Sequence, residues 1–499
     1  MKSTPPSNAD TPPALPGHAA PTATIRGNLG VGGLILTALA LNAPLAAMTG
    51  YVPLEIGLGL GSRSPLVYLA IMVLVLLFAV GLVAMAKRME KPGAYYTYIS
   101  CGLGPIPGLG AGFAAVTSAI LLSVSAYIFC GMQISTLVAN FGGPEIPWWA
   151  GGLATWVIAT GVSMFNVDVS TKVLGVFLCL EVAIVVFWDL RVLFDGGPAG
   201  RALEMSGPVT SAAIGPALLF GLACLLGFEA LQVFRSETRD PERTIPRASY
   251  LTIVLLTVFY AIGSWLYLVA FGTDAAVATA ADPFSGYLGS LRQYAGALIA
   301  DLANVILVTS AFAAILALQN IAARYTFSLA RDGAFPRALG HAHPRHHAPT
   351  RAAAVVGGSI LVFVLVLITL SIDAVTAYVA TAGLGLWVVM VMMTATSMAV
   401  IGFFRRRPDS EATVWERAVA PALAAAGFGY VVYTATVGRD LLFAENRTMA
   451  DIALLVMIAI VIAGMLYAVW LRSAKPEVYR RIGQQEDSGE APVAELAAG

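Results

Sequence analysis

The chain has 499 residues, 58% of them hydrophobic and only 12% charged, and its 29 basic residues balance 29 acidic ones. A mean hydropathy of +0.79 is far from that of a water-soluble globular domain. Composition therefore excludes a soluble enzyme as the bulk of the chain, and a net charge of zero makes no case for a nucleic-acid partner.

In chain order, residues 1–26 are rich in Pro, Ser, Thr and Ala and lack a charged-then-apolar start with a cleavage site. They read as a disordered cytoplasmic tail and not as a signal peptide. A membrane domain of twelve helices is expected over 27–472, followed by a cytoplasmic C-terminal tail, 473–499, whose acidic, Ala-rich end stays in water. The twelve apolar runs are 28–61, 65–85, 107–141, 148–165, 170–194, 210–234, 248–271, 291–318, 352–370, 375–404, 414–437 and 449–471. A span needs about 20 mostly apolar residues, which these runs supply. An even number of spans puts both termini on one side. That side carries 23 of the 29 Lys and Arg, leaving Arg63, Arg191, Arg201, Arg292, Arg439 and Arg447 opposite. The positive-inside rule then makes both termini cytoplasmic, in the cell membrane.

The loops carry no metal or cofactor signature. Cys101, Cys130, Cys179 and Cys224 are scattered without a CxxC pair, three of them inside apolar runs where a free thiol packs as a small hydrophobe. His341, His343, His346 and His347 crowd the basic loop 331–351, which reads as a juxtamembrane segment facing anionic lipid; no metal is assigned. Arg405-Arg406-Arg407 is an orientation signal by the same argument.

Two runs stand out by their helix breakers, and they lie five spans apart. The first holds Asn42-Ala43-Pro44-Leu45-Ala46-Ala47-Met48-Thr49-Gly50, where a mid-run proline removes a backbone donor. The sixth holds Gly215-Pro216, Gly221 and Gly227-Phe228-Glu229. Paired interruptions in corresponding halves point to a transporter's central site. Half-helix N-termini offer free N–H groups to an anion and half-helix C-termini offer carbonyls to a cation, which together suit a zwitterion. Backbone around Ala43, Pro44, Leu45, Ala46 and Ala47, and around Ala223, Cys224, Leu225 and Gly227, is the expected substrate site, with free N–H groups near Ala46 and Ala47 and free carbonyls near Cys224 and Leu225.

Three ordered blocks carry a resemblance. They are Gly227-Phe228-Glu229 with Ser236-Glu237-Thr238 and Asp240-Pro241-Glu242-Arg243-Thr244-Ile245-Pro246-Arg247-Ala248; Arg324 with Ala330-Arg331-Asp332-Gly333-Ala334-Phe335-Pro336 and His343-Pro344; and Lys91-Pro92-Gly93-Ala94-Tyr95-Tyr96. In these the chain resembles the amino acid–polyamine–organocation permeases. The resemblance implies an all-α membrane fold of about twelve helices with a leucine-transporter-like five-plus-five inverted repeat, helices one and six interrupted. It implies secondary transport of amino acids or related amines by alternating access; of the two coupling ions the fold permits, a proton is favoured over sodium. A polyamine or small organic anion carrier of the same fold is the alternative. The departure is in helix one, where many members carry a Gly-x-Gly-Ile-Phe type of segment and this chain has Ala43-Pro44-Leu45-Ala46-Ala47.

Charged side chains inside spans cost about 2.5–3.5 kcal/mol on insertion scales, so each calls for a reason. Glu229, where the resemblance implies a carboxylate beside the substrate, and Glu181, midway along run five, are the proton-coupling candidates. Lys172 reads as an interfacial anchor, and Glu55 and Asp301 as carboxylates solvated near the outer membrane surface. Asn304, Thr309 and Ser310 could donate oxygens to sodium, although such hydroxyls more often bond within their own helix. Trp387, beside Gly383 and Gly385, is placed to line a path. An intramembrane enzyme is disfavoured because no span contains a histidine, and a channel because neither a filter loop nor an arginine-rich span is present. A major-facilitator fold would lack the paired breaks. Oligomeric state and the particular substrate are left open.

Overall fold

A computed structural model describes residues 29–89, 95–164, 171–198, 200, 211–229, 231, 238–280, 282–343, 348–407 and 411–483. The N-terminal tail, residues 484–499 of the C-terminal tail, Lys91-Pro92-Gly93-Ala94, Ser236-Glu237, Pro344, His346 and His347 fall outside them.

The architecture is helical, and the described residues contain only two isolated bridges, Leu29 with Thr238 and Gly197 with Gly200. The first run divides into α1 (Val31–Asn42) and α2 (Pro44–Glu55), followed by a π-helical turn, Ile56–Leu60. Then come α3 (Ser64–Ala86), α4 (Tyr95–Leu103), α5 (Pro105–Asn140), α6 (Trp148–Met164), α7 (Thr171–Asp195) and α8 (Ser211–Ala223). The second half holds α9 (Pro241–Phe271), α10 (Thr273–Thr279), α11 (Gly286–Ala295), α12 (Ala297–Arg331), α13 (Thr350–Thr369), α14 (Ala374–Arg406), α15 (Ala420–Val437), α16 (Arg447–Ala474) and α17 (Pro476–Arg481). Eight helical stretches, counting α2 and α3 as one, are long and apolar enough to cross a membrane. Helices α1 and α8 fall short because they are halves of interrupted runs.

Local chemistry sets these boundaries. Pro241 stands at the first position of α9, where its missing N–H costs nothing, and Asp240 ahead of it accepts from Thr244 N–H at 2.9 Å through its carbonyl. In the second resembling block α12 ends at Arg331, and the φ of +85° at Gly333 lets Ala334 N–H turn back to the Leu329 carbonyl at 2.9 Å.

Helix α5 is the spine, with α4, α6, α12, α14 and α16 packed along it. Half-helix α8 is held against α15 by the absence of a side chain, since a Cβ on Gly215 would lie 2.1 Å from the Ala435 nitrogen. The outside is apolar: Leu455, Leu466 and Trp470 of α16 and Val176, Phe187 and Leu190 of α7 are all exposed, as a lipid solvent requires. Beyond α16 the chain does not leave the protein at once. Helix α17 packs Val478 against Gly333, and Gly483 N–H donates to the Asp332 carboxylate at 3.0 Å.

Candidate functional site

The first break is made by two residues. Pro44 begins α2 and cannot donate, and Ala43 ahead of it adopts φ +50°, ψ +74°, a left-handed geometry that an L-residue pays to hold. Helix α2 then starts with few donors to spare. Ala47 N–H bonds the Ala43 carbonyl at 3.0 Å, and Leu45 N–H donates to the Glu181 carboxylate of α7 at 3.2 Å. The expectation of free N–H groups at both Ala46 and Ala47 is therefore corrected: Ala47 is spent inside the helix because its i−4 carbonyl survives the break. Ala46 N–H has no acceptor among the described residues.

The second break follows α8, whose last carbonyls have no helix to receive them. The Asn42 side-chain amide supplies the donor, giving hydrogen bonds to the carbonyls of Cys224 at 2.8 Å, Leu226 at 3.2 Å and Ala223 at 3.5 Å. Asn42 Oδ1 in turn accepts from the Tyr260 hydroxyl of α9. Gly227 then takes φ +114°, and its N–H donates to the Glu229 carboxylate at 2.9 Å. That backbone angle explains why glycine stands there.

The two breaks thus meet through side chains. Glu181 of α7 lies close to Ser310 of α12 and to Tyr260, which reaches Asn42 and through it the carbonyls after α8. A carboxylate and an amide of the chain's own occupy the places where the sequence puts a ligand's carboxylate and ammonium. On the α2 side away from Asn42, Tyr51 stacks on Phe220 at 6.3 Å and on Tyr378 at 6.2 Å, capping the site with rings.

Other sequence candidates sort plainly. Glu229 lies near the Tyr95 and Tyr325 hydroxyls and serves its own break. Glu55 corrects the expectation of an interfacial carboxylate: it is 0% exposed and neither oxygen has a hydrogen-bond partner, because α3 and α8 close over it. Asp301 does keep partial exposure and pairs with Arg292. Thr309 bonds the Ile306 carbonyl of its own helix at 2.9 Å, and Asn304 turns to α5, where its amide faces the Gln133 carbonyl at 3.3 Å, so only Ser310 of the three reaches the breaks. Trp387 donates to Thr436 of α15 at 3.0 Å. Asn42 and Tyr260 are the residues that sequence reasoning missed. For Asn42 a signal existed, an amide in an otherwise apolar run directly before the proline; for Tyr260 there was none.

Among the described residues, two interrupted helices turn their open backbone ends toward each other. The comparisons give the family. A family model of amino acid permeases matches residues 34–472, and the chain belongs to that family. The low-affinity putrescine importer PlaP of Escherichia coli is 23% identical over 303 residues, covering 59% of this chain and 65% of that protein. The aromatic amino acid transport protein AroP of Shigella flexneri is 24% identical over 235 residues, covering 44% of this chain and 50% of that protein. The chain thus spans half to just under two thirds of these relatives' length. A crystal structure of a mutant Eremococcus coleocola manganese transporter aligns over 92% of this chain and 99% of that one at a TM-score of 0.49 and 15% identity, too loose a likeness to carry an argument.

Proposed function

We propose that the chain is a secondary transporter of amino acids or related amines, working by alternating access across the cell membrane and driven by protons. Twelve crossings, the five-plus-five repeat and cytoplasmic termini belong to this reading. The observation that carries it is the pair of facing breaks, with Ala46 N–H uncommitted on one side and the carbonyls of Ala223, Cys224 and Leu226 held by one movable amide on the other. A substrate ammonium replaces the Asn42 amide on those carbonyls, and the backbone of Ala43 to Ala47 meets its other end.

One observation favours the polyamine alternative within this reading. Glu181 already holds the first available N–H of α2, so whenever it is ionised a substrate carboxylate arriving at Ala46 meets a like charge one residue away, whereas an amine without a carboxylate meets attraction. The same carboxylate disfavours an organic anion.

The test is flux into proteoliposomes of purified protein, with labelled amino acids, diamines and small organic anions presented in turn. Saturable uptake of at least one amine or amino acid is expected. A panel in which nothing moves, or only anions move, would remove the proposal.

A further inference from the structure

Three carboxylates lie around the broken helices, and two of them have work. Glu181 accepts from Leu45 N–H and Glu229 from Gly227 N–H, so each is used as a helix cap. Glu55 has neither task. It is 0% exposed, and both of its oxygens lack a hydrogen-bond partner.

What surrounds it offers little to a negative charge. Ser64 of α3, its nearby hydroxyl, spends its proton on the Gly61 carbonyl at 2.6 Å. The titratable groups facing Glu55 are Tyr68 of α3 and Cys224 at the end of α8, both neutral at physiological pH, and Tyr68 Oη and Cys224 Sγ are paired with each other at 3.8 Å. From α7, α9, α10, α11 and α12, which also pack on α2 or its π turn, no Lys, Arg or His pairs with it among the described residues. A buried carboxylate without a hydrogen-bond partner or a cation beside it is costly to hold as an anion, and binding a proton removes that cost.

Its position makes that proton useful. Glu55 is the last residue of α2, the half-helix whose other end carries Ala46, and it precedes a π turn in which Gly59 leaves helical angles at φ −111°, ψ −126°. Any rocking of α2 that exposes or closes the break swings Glu55 about that weak turn. We infer that Glu55 is a proton-binding site of this chain, taking up one proton when the outer end of α2 meets water and carrying it buried as the neutral acid while the site is closed. The inference rests on the carrier reading for the use of the proton, not for its presence. The balance is simple: carboxylate plus proton gives carboxylic acid, with no other reactant.

Two measurements on the full chain in lipid test it. Infrared spectroscopy at neutral pH is expected to show the carbonyl stretch of a protonated carboxylic acid that Glu55→Gln removes and that Glu181→Gln and Glu229→Gln leave in place. A spectrum without that band, or a band that survives Glu55→Gln, would overturn the inference whatever the protein transports. In proteoliposomes, Glu55→Gln keeps the shape of the neutral acid and is expected to retain exchange of substrate across the membrane while losing at least tenfold of the uptake driven by an inward acid gradient. Full gradient-driven uptake by the variant would overturn the coupling role. The expected band in a protein that moves no member of the panel supports the proton site and counts against the carrier reading alone.

Discussion

The two interrupted helices solve the same problem in different ways. After α8 the freed N–H of Gly227 is taken by Glu229, two residues along the same strand of backbone. At α2 the freed N–H of Leu45 is taken by Glu181, 136 residues away on another helix, and the carbonyls after α8 are taken by Asn42, more than 180 residues away. A local cap travels with its break and persists through motion. A remote cap holds only while two helices stay together, so it is the one that a ligand can displace and the one that reports the conformational state.

That contrast can be broken, and the largest effect is expected at Asn42. Asn42→Leu strands three carbonyls and the Tyr260 hydroxyl together, and each stranded buried group costs about 1–3 kcal/mol. Uptake should fall by far more than tenfold and thermal unfolding in detergent should move down; unchanged transport would mean the carbonyls need no partner. Ala46→Leu comes next, because bulk beside an uncommitted N–H blocks the ligand without touching either cap. Equilibrium binding should be lost while chromatography stays normal, and Ala70→Leu, on an exposed face of α3, should do nothing.

The carboxylates sharpen the comparison further. Glutamine can still accept from Leu45 N–H, so Glu181→Gln should fold and bind but shift relative uptake from diamines toward zwitterions by roughly tenfold, about 1.4 kcal/mol. Glu229→Gln keeps the local cap in the same manner and should leave that ratio alone. Equal shifts in the two variants would erase the distinction between remote and local caps. Gly227→Ala should cost about 1–3 kcal/mol through its positive φ, read as a lower unfolding temperature with unaltered substrate preference. Smallest of all, Ala342→Cys should leave transport unchanged while reacting with an impermeant thiol reagent only from the cytoplasmic side; labelling from outside intact cells would invert the topology.

Much of the scaffold was legible because lipid imposes a length on each apolar run. Run 65–85 is α3 (Ser64–Ala86), run 352–370 is α13 (Thr350–Thr369), and run 375–404 is α14 (Ala374–Arg406). Reading failed where helix and apolar run are different things. Run 291–318 begins inside α11, is cut at Gly296 with φ +91°, and continues as α12 to Arg331, well past its last apolar residue, because α12 packs its polar end on the protein and not on lipid. Glu55 was misjudged for a related reason: depth along a helix says nothing about which neighbours close over one side of it.

By itself the sequence determined that this chain is helical and membrane-bound, and where two of its helices must break, since Pro44 and Gly227 impose backbone chemistry whatever lies around them. Only the tertiary structure decided who completes those breaks. The reach of Glu181 to Leu45, of Asn42 to Cys224, and the isolation of Glu55 depend on how α2, α7, α8 and α9 lie against one another. A hydrogen bond between residues far apart in the chain leaves no periodicity or spacing to read, and a carboxylate's lack of partners is a property of its neighbours' positions rather than of its own place in the sequence.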